Sequence, residues 1–415
     1  MKRKSAISFS VMNEITGDKQ LFEFIRSANI SQAPSLKELL SNYQSDTITI
    51  SDVLTKLGQH KDRLLLIDAR SQAEFEDSEI PGAENFPVLT NTERHNVGLI
   101  YKKYSQAAAL WLALKYAEPK IENLDKFLSS QRAVERDIVV YCWRGGGRSG
   151  YLSKMICDLG YSVSVIKGGH KSFRRLVNEY FSRKTFPSGL IELSGMTGSG
   201  KTMLLKEAGK NIPIIDLENS ALHYSSLLGR IPYEIKSFPG IKNQAAFENR
   251  IFADLALNLT ESKEEAEVYL IESESKKVGD FTIPEMLFSS MLTAPVVRVD
   301  SAIDYRVKRL NRDYFGENNE GIQPMLNIMK AKENFFRQQL SSSTYKELIV
   351  NLEKGETDQF TEIMLTKYYD LKYKDKGKVP VAVVNADHAD DAVKEIAEVY
   401  RKTKQRRKNS SPGSA

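Results

Sequence analysis

A chain of 415 residues, 27% charged and 41% hydrophobic, has the composition of an ordinary globular protein and the length of two or three domains. No apolar run approaches the ~18 residues of a membrane span, and two cysteines, Cys142 and Cys157, are too few for a disulfide framework or a Cys-ligated zinc site, which favours a reducing, cytoplasmic setting. The net charge of +5 is modest and gathers at the ends, in MKRKS at residues 1–5 and RKTKQRRK at residues 401–408.

Residues 1–47 form an N-terminal extension with no assignable structure; Glu14 and Asp18 break the acid-poor pattern of a targeting segment. A first domain is predicted over residues 48–182. Apolar runs at 64–67, 138–141 and 163–166 alternate with helical spacing at 110–116, 121–128 and 152–159, the pattern of a parallel α/β sheet. A basic, aromatic insertion, Gly98-Leu-Ile-Tyr101-Lys102-Lys103-Tyr104, lies between them.

The run IVVYCWRGGGRS at residues 138–149 delivers Cys142 from a buried strand into a glycine-rich loop, and a helix is expected at once. Loop N–H groups at a helix N-terminus, with Arg144 and Arg148 nearby, favour a thiolate at Cys142 beside an anion cradle. Cys157 falls on the inward face of that helix, as core or as a resolving thiol.

A linker over 183–189 leads to a second domain at 190–373. A strand there runs into Gly195-Met-Thr-Gly198-Ser199-Gly200-Lys201-Thr202 and then a helix, which is G-x-x-x-x-G-K-T in its required context. The glycines let backbone N–H groups wrap a diphosphate, Lys201 neutralises the outer phosphate, and Thr202 can hold Mg²⁺. Glu272 and Glu274, ending a later strand, are candidates to serve that metal or are solvated carboxylates. A strand over 379–384 and a helix over 390–402 form a C-terminal extension (374–403), and 404–415 reads as a disordered basic tail. Lys171, Arg174 and Arg175, and the helix bearing Arg306 and Arg309, are basic faces for nucleic acid or simply solvated.

Strand, Cys, glycine-rich loop, Arg and helix in that order resemble rhodanese-like sulfurtransferases and Cys-x5-Arg phosphatases. Asp68-Ala-Arg70, Glu74-Phe75 and Gly168-Gly169 resemble the rhodanese signatures. With a P-loop domain following, residues 60–373 resemble the bacterial tRNA 2-selenouridine synthases; further marks include Asn91-Thr-Glu93-Arg94, Val97-Gly98, Asp216-Leu-Glu218 with His223, Arg306 with Arg309, and Tyr368-Tyr369-Asp370. Tyr224-Ser225 and Leu371 depart from the family, which tends to carry Arg-Gly and Pro there.

The resemblance implies a rhodanese-like parallel-sheet domain followed by a P-loop NTPase-like α/β domain. It adds Asp68 to the catalytic set of Cys142, Arg144 and Arg148. It implies selenophosphate and geranyl diphosphate as substrates, and a tRNA carrying 2-thiouridine in its anticodon as partner. Cys142 would carry selenium as a selenopersulfide or help expel the geranyl thiol, and the geranyl tail would lie in an apolar pocket of the second domain. The alternatives are a sulfurtransferase fused to a small-molecule kinase, a Cys-x5-Arg phosphatase, and a non-catalytic tRNA-binding protein.

Overall fold

The computed structural model describes residues 17–28, 30, 35–40, 43, 45–224, 226–237, 240–257, 266–373 and 377–410. The basic residues 1–5, Ser225 and residues 411–415 lie outside them. The chain divides into two compact units, Met1–Leu176 and Val177–Ala415.

In chain order the first unit holds α1 (Asp18–Ser27), α2 (Leu36–Leu39), β1 (Asp46–Ile48), α3 (Ile50–His60), β2 (Leu64–Asp68), α4 (Gln72–Asp77), β3 (Glu84–Asn85), α5 (Asn91–Lys103), α6 (Gln106–Ala117), α7 (Ile121–Ser130), β4 (Asp137–Tyr141), α8 (Gly147–Asp158) and β5 (Val163–Ile166). The helix α9 (Gly169–Phe181) carries the chain across the boundary. The sheet is wholly parallel in the order β1-β5-β4-β2-β3. Every residue of β2 is buried, as is all of β4 beyond Asp137. Strands covered on both faces need such unbroken apolar runs. The chain leaves β2 toward one edge and β4 toward the other, so the loop after β4 opens at the switch point where α/β sheets bind ligands.

The second unit begins with β6 (Gly189–Ser194), α10 (Lys201–Ala208), β7 (Ile214–Ile215), α11 (Leu217–Ala221), α12 (Ile231–Glu234), α13 (Gln244–Leu257) and β8 (Val268–Glu272). It continues through the hairpin β9 (Lys277–Val278) and β10 (Phe281–Thr282), then α14 (Glu285–Thr293) and β11 (Val296–Asp300). Five helices follow, α15 (Ile303–Phe315), α16 (Ile322–Ala331), α17 (Glu333–Gln339), α18 (Ser342–Lys354) and α19 (Thr357–Met364), packed around Phe315, Met329, Phe336 and Leu348. The unit ends with α20 (Asp370–Lys372), β12 (Ala382–Asn385) and α21 (Ala389–Ser410). Its parallel sheet runs β12-β11-β6-β8-β7, with the P-loop strand β6 at the centre.

The C-terminal region differs from expectation. β12 pairs with β11, so the residues read as an appended extension complete the P-loop sheet. Lys378 Nζ donates to Glu192 Oε2 at 2.6 Å, giving the fully buried Glu192 its countercharge. The tail expected to be disordered from 404 is helical through Ser410, because Ala392 and Ile396 pack into the sheet's core while Lys404 and Lys408 reach Glu267.

Candidate active sites

Cys142 follows β4 and is only 4% exposed. Its carbonyl accepts from the His170 N–H at 2.8 Å, and the Trp143 carbonyl accepts from the Lys171 N–H at 3.0 Å, so the start of α9 clamps the loop. Gly169 makes this approach feasible: its φ is +57° and a Cβ there would lie 2.2 Å from the Cys142 oxygen. The Ser149 hydroxyl stands 3.2 Å from the Cys142 sulfur. Burial alone would raise the thiol's pKa, but hydrogen bonds from the Ser149 hydroxyl and the Ser149 and Gly146 backbone, with the Arg148 charge, outweigh it and bring it below the ordinary value. The loop is thus poised for a thiolate. Cys157, half-buried on α8, lies 3.5 Å from the Tyr43 hydroxyl and packs against the core, in keeping with a structural thiol.

The arginines divide their work. Arg148 is paired with Glu74 at 2.5 Å, and Arg94 reaches the same carboxylate at 2.9 Å. Burial opposes ionisation of Glu74, but the Arg148 hydrogen bond and the two positive charges prevail and hold its pKa low. Glu74 was passed over as a site residue in the sequence; its visible signal is the capping box Ser71-x-x-Glu74, which fixes the carboxylate at the start of α4. Arg144 is exposed and, among the described residues, has no ion-pair partner. Asp68, expected among the catalytic residues, is not a free carboxylate in the structure. It is fully buried and held by Arg70, whose Nη2 donates to Asp68 Oδ2 and to the Ser78 carbonyl, both at 2.6 Å, and whose guanidinium lies over the Tyr141 ring. Asp68 thus holds the end of β2 beside Tyr141, the residue before Cys142.

In the second unit β6 runs into the P-loop, and α10 begins at Lys201. Lys201 Nζ lies across the loop, donating to the carbonyls of Gly195 at 2.9 Å and Met196 at 3.2 Å. Ser199 is buried and its hydroxyl has no hydrogen-bond partner. Thr202 Oγ1 donates to Glu218 Oε2 at 2.9 Å, and the Glu218 N–H points at Glu272 Oε2 at 3.5 Å. Glu272 is fully buried and its Oε1 is unpartnered; burial first, then the negative charges of Glu218 and Asp216, push its pKa well above the carboxylate range. Asp254 is pushed up to about 7, mainly by burial. Glu274 is also buried, so neither expected metal-side carboxylate is simply a solvated strand end. No group of three or more His, Cys, Asp and Glu among the described residues has the geometry of a metal cage. The hydroxyl of Thr202 with the Glu218 and Glu272 carboxylates is a hard-oxygen set, which suits Mg²⁺ arriving with a diphosphate that completes its shell.

The two expected basic faces separate. Lys171 and Arg175 are exposed along α9 and Arg174 is half-buried. Arg306 and Arg309 point inward instead. Arg306 forms a two-pronged pair with Asp370 at 2.5 and 3.0 Å and donates to the Thr197 carbonyl at 2.9 Å; Arg309 pairs with Asp387 and reaches the Gly198 carbonyl at 3.3 Å. They brace the P-loop from behind, so they are corrected from nucleic-acid contacts to positioning residues. Tyr224, where the family tends to carry Arg, packs edge-on against Tyr233.

With both sites described, comparison with known proteins is specific. Residues 49–176 match the rhodanese-like domain, and residues 188–405 match the tRNA 2-selenouridine synthase AAA domain, which takes in β12 and most of α21. Proteins named tRNA 2-selenouridine synthase are similar along much of the chain. That of Psychromonas ingrahamii is 32% identical over 60% of this chain and 64% of its own length. That of Aeromonas salmonicida is 29% identical over 75% and 87%, and that of Shewanella sp. (strain MR-7) 30% identical over 74% and 86%. More than half of the chain lies within a domain defined by one enzyme family, and the chain belongs to the tRNA 2-selenouridine synthases.

Proposed function

We propose that this protein converts 2-thiouridine at the wobble position of tRNA to 2-selenouridine, with selenophosphate as selenium donor and an S-geranyl intermediate made from geranyl diphosphate. What carries the reading is one chain holding both the Cys142 loop in a rhodanese-like domain and a P-loop in the tRNA 2-selenouridine synthase AAA domain. In the first step the thiouridine sulfur attacks C1 of geranyl diphosphate; the C–O bond breaks, diphosphate leaves, and the base gives up its N3 proton. Lys201 and the loop N–H groups stabilise the leaving charge. Mg²⁺ held by Thr202, Glu218 and Glu272 would supply a Lewis acid for it.

In the second step the geranyl thiol is replaced at C2. If Cys142 took selenium from selenophosphate as a selenopersulfide, phosphorus would be left reduced to the phosphite level, and nothing in the reaction reoxidises it. We therefore assign Cys142 to displacement. Its thiolate adds at C2 and expels geranyl thiol; selenophosphate selenium then displaces Cys142, and water cleaves the P–Se bond to give phosphate. Arg144 would hold the phosphoryl oxygens, with Arg148 kept in orientation by Glu74. A tRNA substrate fits the cytoplasmic setting expected from the sequence, and no helix among the described residues is long and apolar enough to cross a membrane.

The test is mass analysis of wobble nucleosides in cells carrying variants. Cys142→Ser should accumulate the S-geranyl nucleoside and lose selenouridine, whereas Cys157→Ser should keep both steps. Wild-type selenouridine in Cys142→Ser would remove the thiol from the mechanism.

A further inference from the structure

The first unit carries a cleft of about 1080 Å³, partly open to solvent and bordered by residues of α2, α5, α6 and α8. Its wall is largely aliphatic, including Val97, Leu99, Leu110 and Ala113. Gly147 and Arg148 also line it, so it reaches the loop that carries Cys142. A cleft of this volume walled by several helices has the size of a small-molecule site.

A second observation bears on what fills it. Gly98 sits in the middle of α5, where glycine weakens a helix relative to alanine. A Cβ built there meets nothing within 4 Å, and its φ is not in the left-handed region. Neither packing nor backbone geometry calls for glycine. It keeps the cavity wide. In the second unit, by contrast, the cavity lined by Thr197, Leu310 and Phe360 measures about 30 Å³, room for about one water. That cavity is too small for a geranyl tail.

We propose that the cavity of the first unit receives the acyclic isoprenoid chain of the S-geranyl nucleoside while C2 of that base lies at Cys142. This rests on the reading that the intermediate is S-geranylated. The aliphatic wall would hold the chain by burial, and the Arg148 end would face the nucleotide and the selenophosphate.

The test uses anticodon stem-loop RNAs carrying S-geranyl-, S-dimethylallyl- or S-methyl-2-thiouridine, with selenophosphate and the full-length protein. Wild type should convert the S-geranyl RNA with the highest kcat/KM. Gly98→Leu and Ala113→Leu fill the cavity from two helices, and each should lower the ratio of kcat/KM for S-geranyl over S-methyl RNA by about tenfold or more. Gly98→Ala, whose methyl meets open space, should fold at least as stably and shift the ratio less in the same direction. Geranylation of 2-thiouridine RNA by geranyl diphosphate is the second arm and should be retained. An unchanged ratio in all three variants overturns the proposal, and so does a loss confined to the geranylation arm, which would assign the cavity to the free diphosphate's tail. If wild type makes no selenouridine from S-geranyl RNA, the intermediate itself is wrong and the proposal falls with it.

Discussion

Asp254 and Glu272 carry a cost that their sequence neighbours do not reveal. Glu272 is fully buried and Asp254 half-buried, and both are protonated more readily than in an unfolded chain. For Asp254 the folded pKa of about 7 lies above its ordinary 3.8. Between those values the folded state keeps a proton that the unfolded state releases, so stability falls as pH rises from about 4 to about 7 and levels off above, with a slope of at most about 1.4 kcal/mol per pH unit. Asp254→Asn should flatten that slope and raise the melting temperature at pH 8, since an amide can still accept from the Asp216 N–H. Melts across this pH range check it; an undiminished slope would place the titration elsewhere in the cluster. In the sequence a motif fixes where Cys142 and Lys201 lie, each in or just after a loop that ends a strand. The partners of Glu74, Glu218 and Asp68, which are Arg148, Thr202 and Arg70, are not legible there, because side-chain pairing turns on side-chain direction, which spacing does not encode.

At the scale of elements, α9 and α15 look alike in sequence, since each is a basic amphipathic helix. They differ in what their arginines meet. On α15, Asp370 and Asp387 arrive from segments far along the chain and turn Arg306 and Arg309 onto the P-loop carbonyls. On α9, Lys171 and Arg175 stay in solvent. Charge reversal of Arg174 and Arg175 should therefore reduce the slope of log K against log salt for tRNA binding by about one to two. Arg306→Ala should leave that slope alone and lower the melting temperature, because it strips a buried pair from Asp370. An unchanged slope in the α9 variant would move the RNA footprint away from this helix. On α21 the helix expected over 390–402 continues to Ser410 through the basic run read as disordered, where Lys404 and Lys408 reach Glu267.

Across the whole molecule, two parallel sheets were legible because their strands are continuous apolar runs broken by helical spacing, and because each ligand loop sits at a strand's carboxyl end. The C-terminal strand was visible as a strand but not as the sheet's edge, since strand pairing is a property of distant residues. The 1080 Å³ cleft has no counterpart in the sequence pattern, because an absence of atoms has no periodicity. On the proposed reading the two sites divide the labour, with geranyl transfer at the P-loop and exchange for selenium at Cys142. Lys201→Ala, with normal folding verified, should be assayed for selenouridine on 2-thiouridine tRNA and on pre-geranylated tRNA. Selenium incorporation should be lost on the first and restored on the second. Failure on pre-geranylated tRNA as well, or ATP hydrolysis by wild type in step with selenium transfer, would contradict that reading.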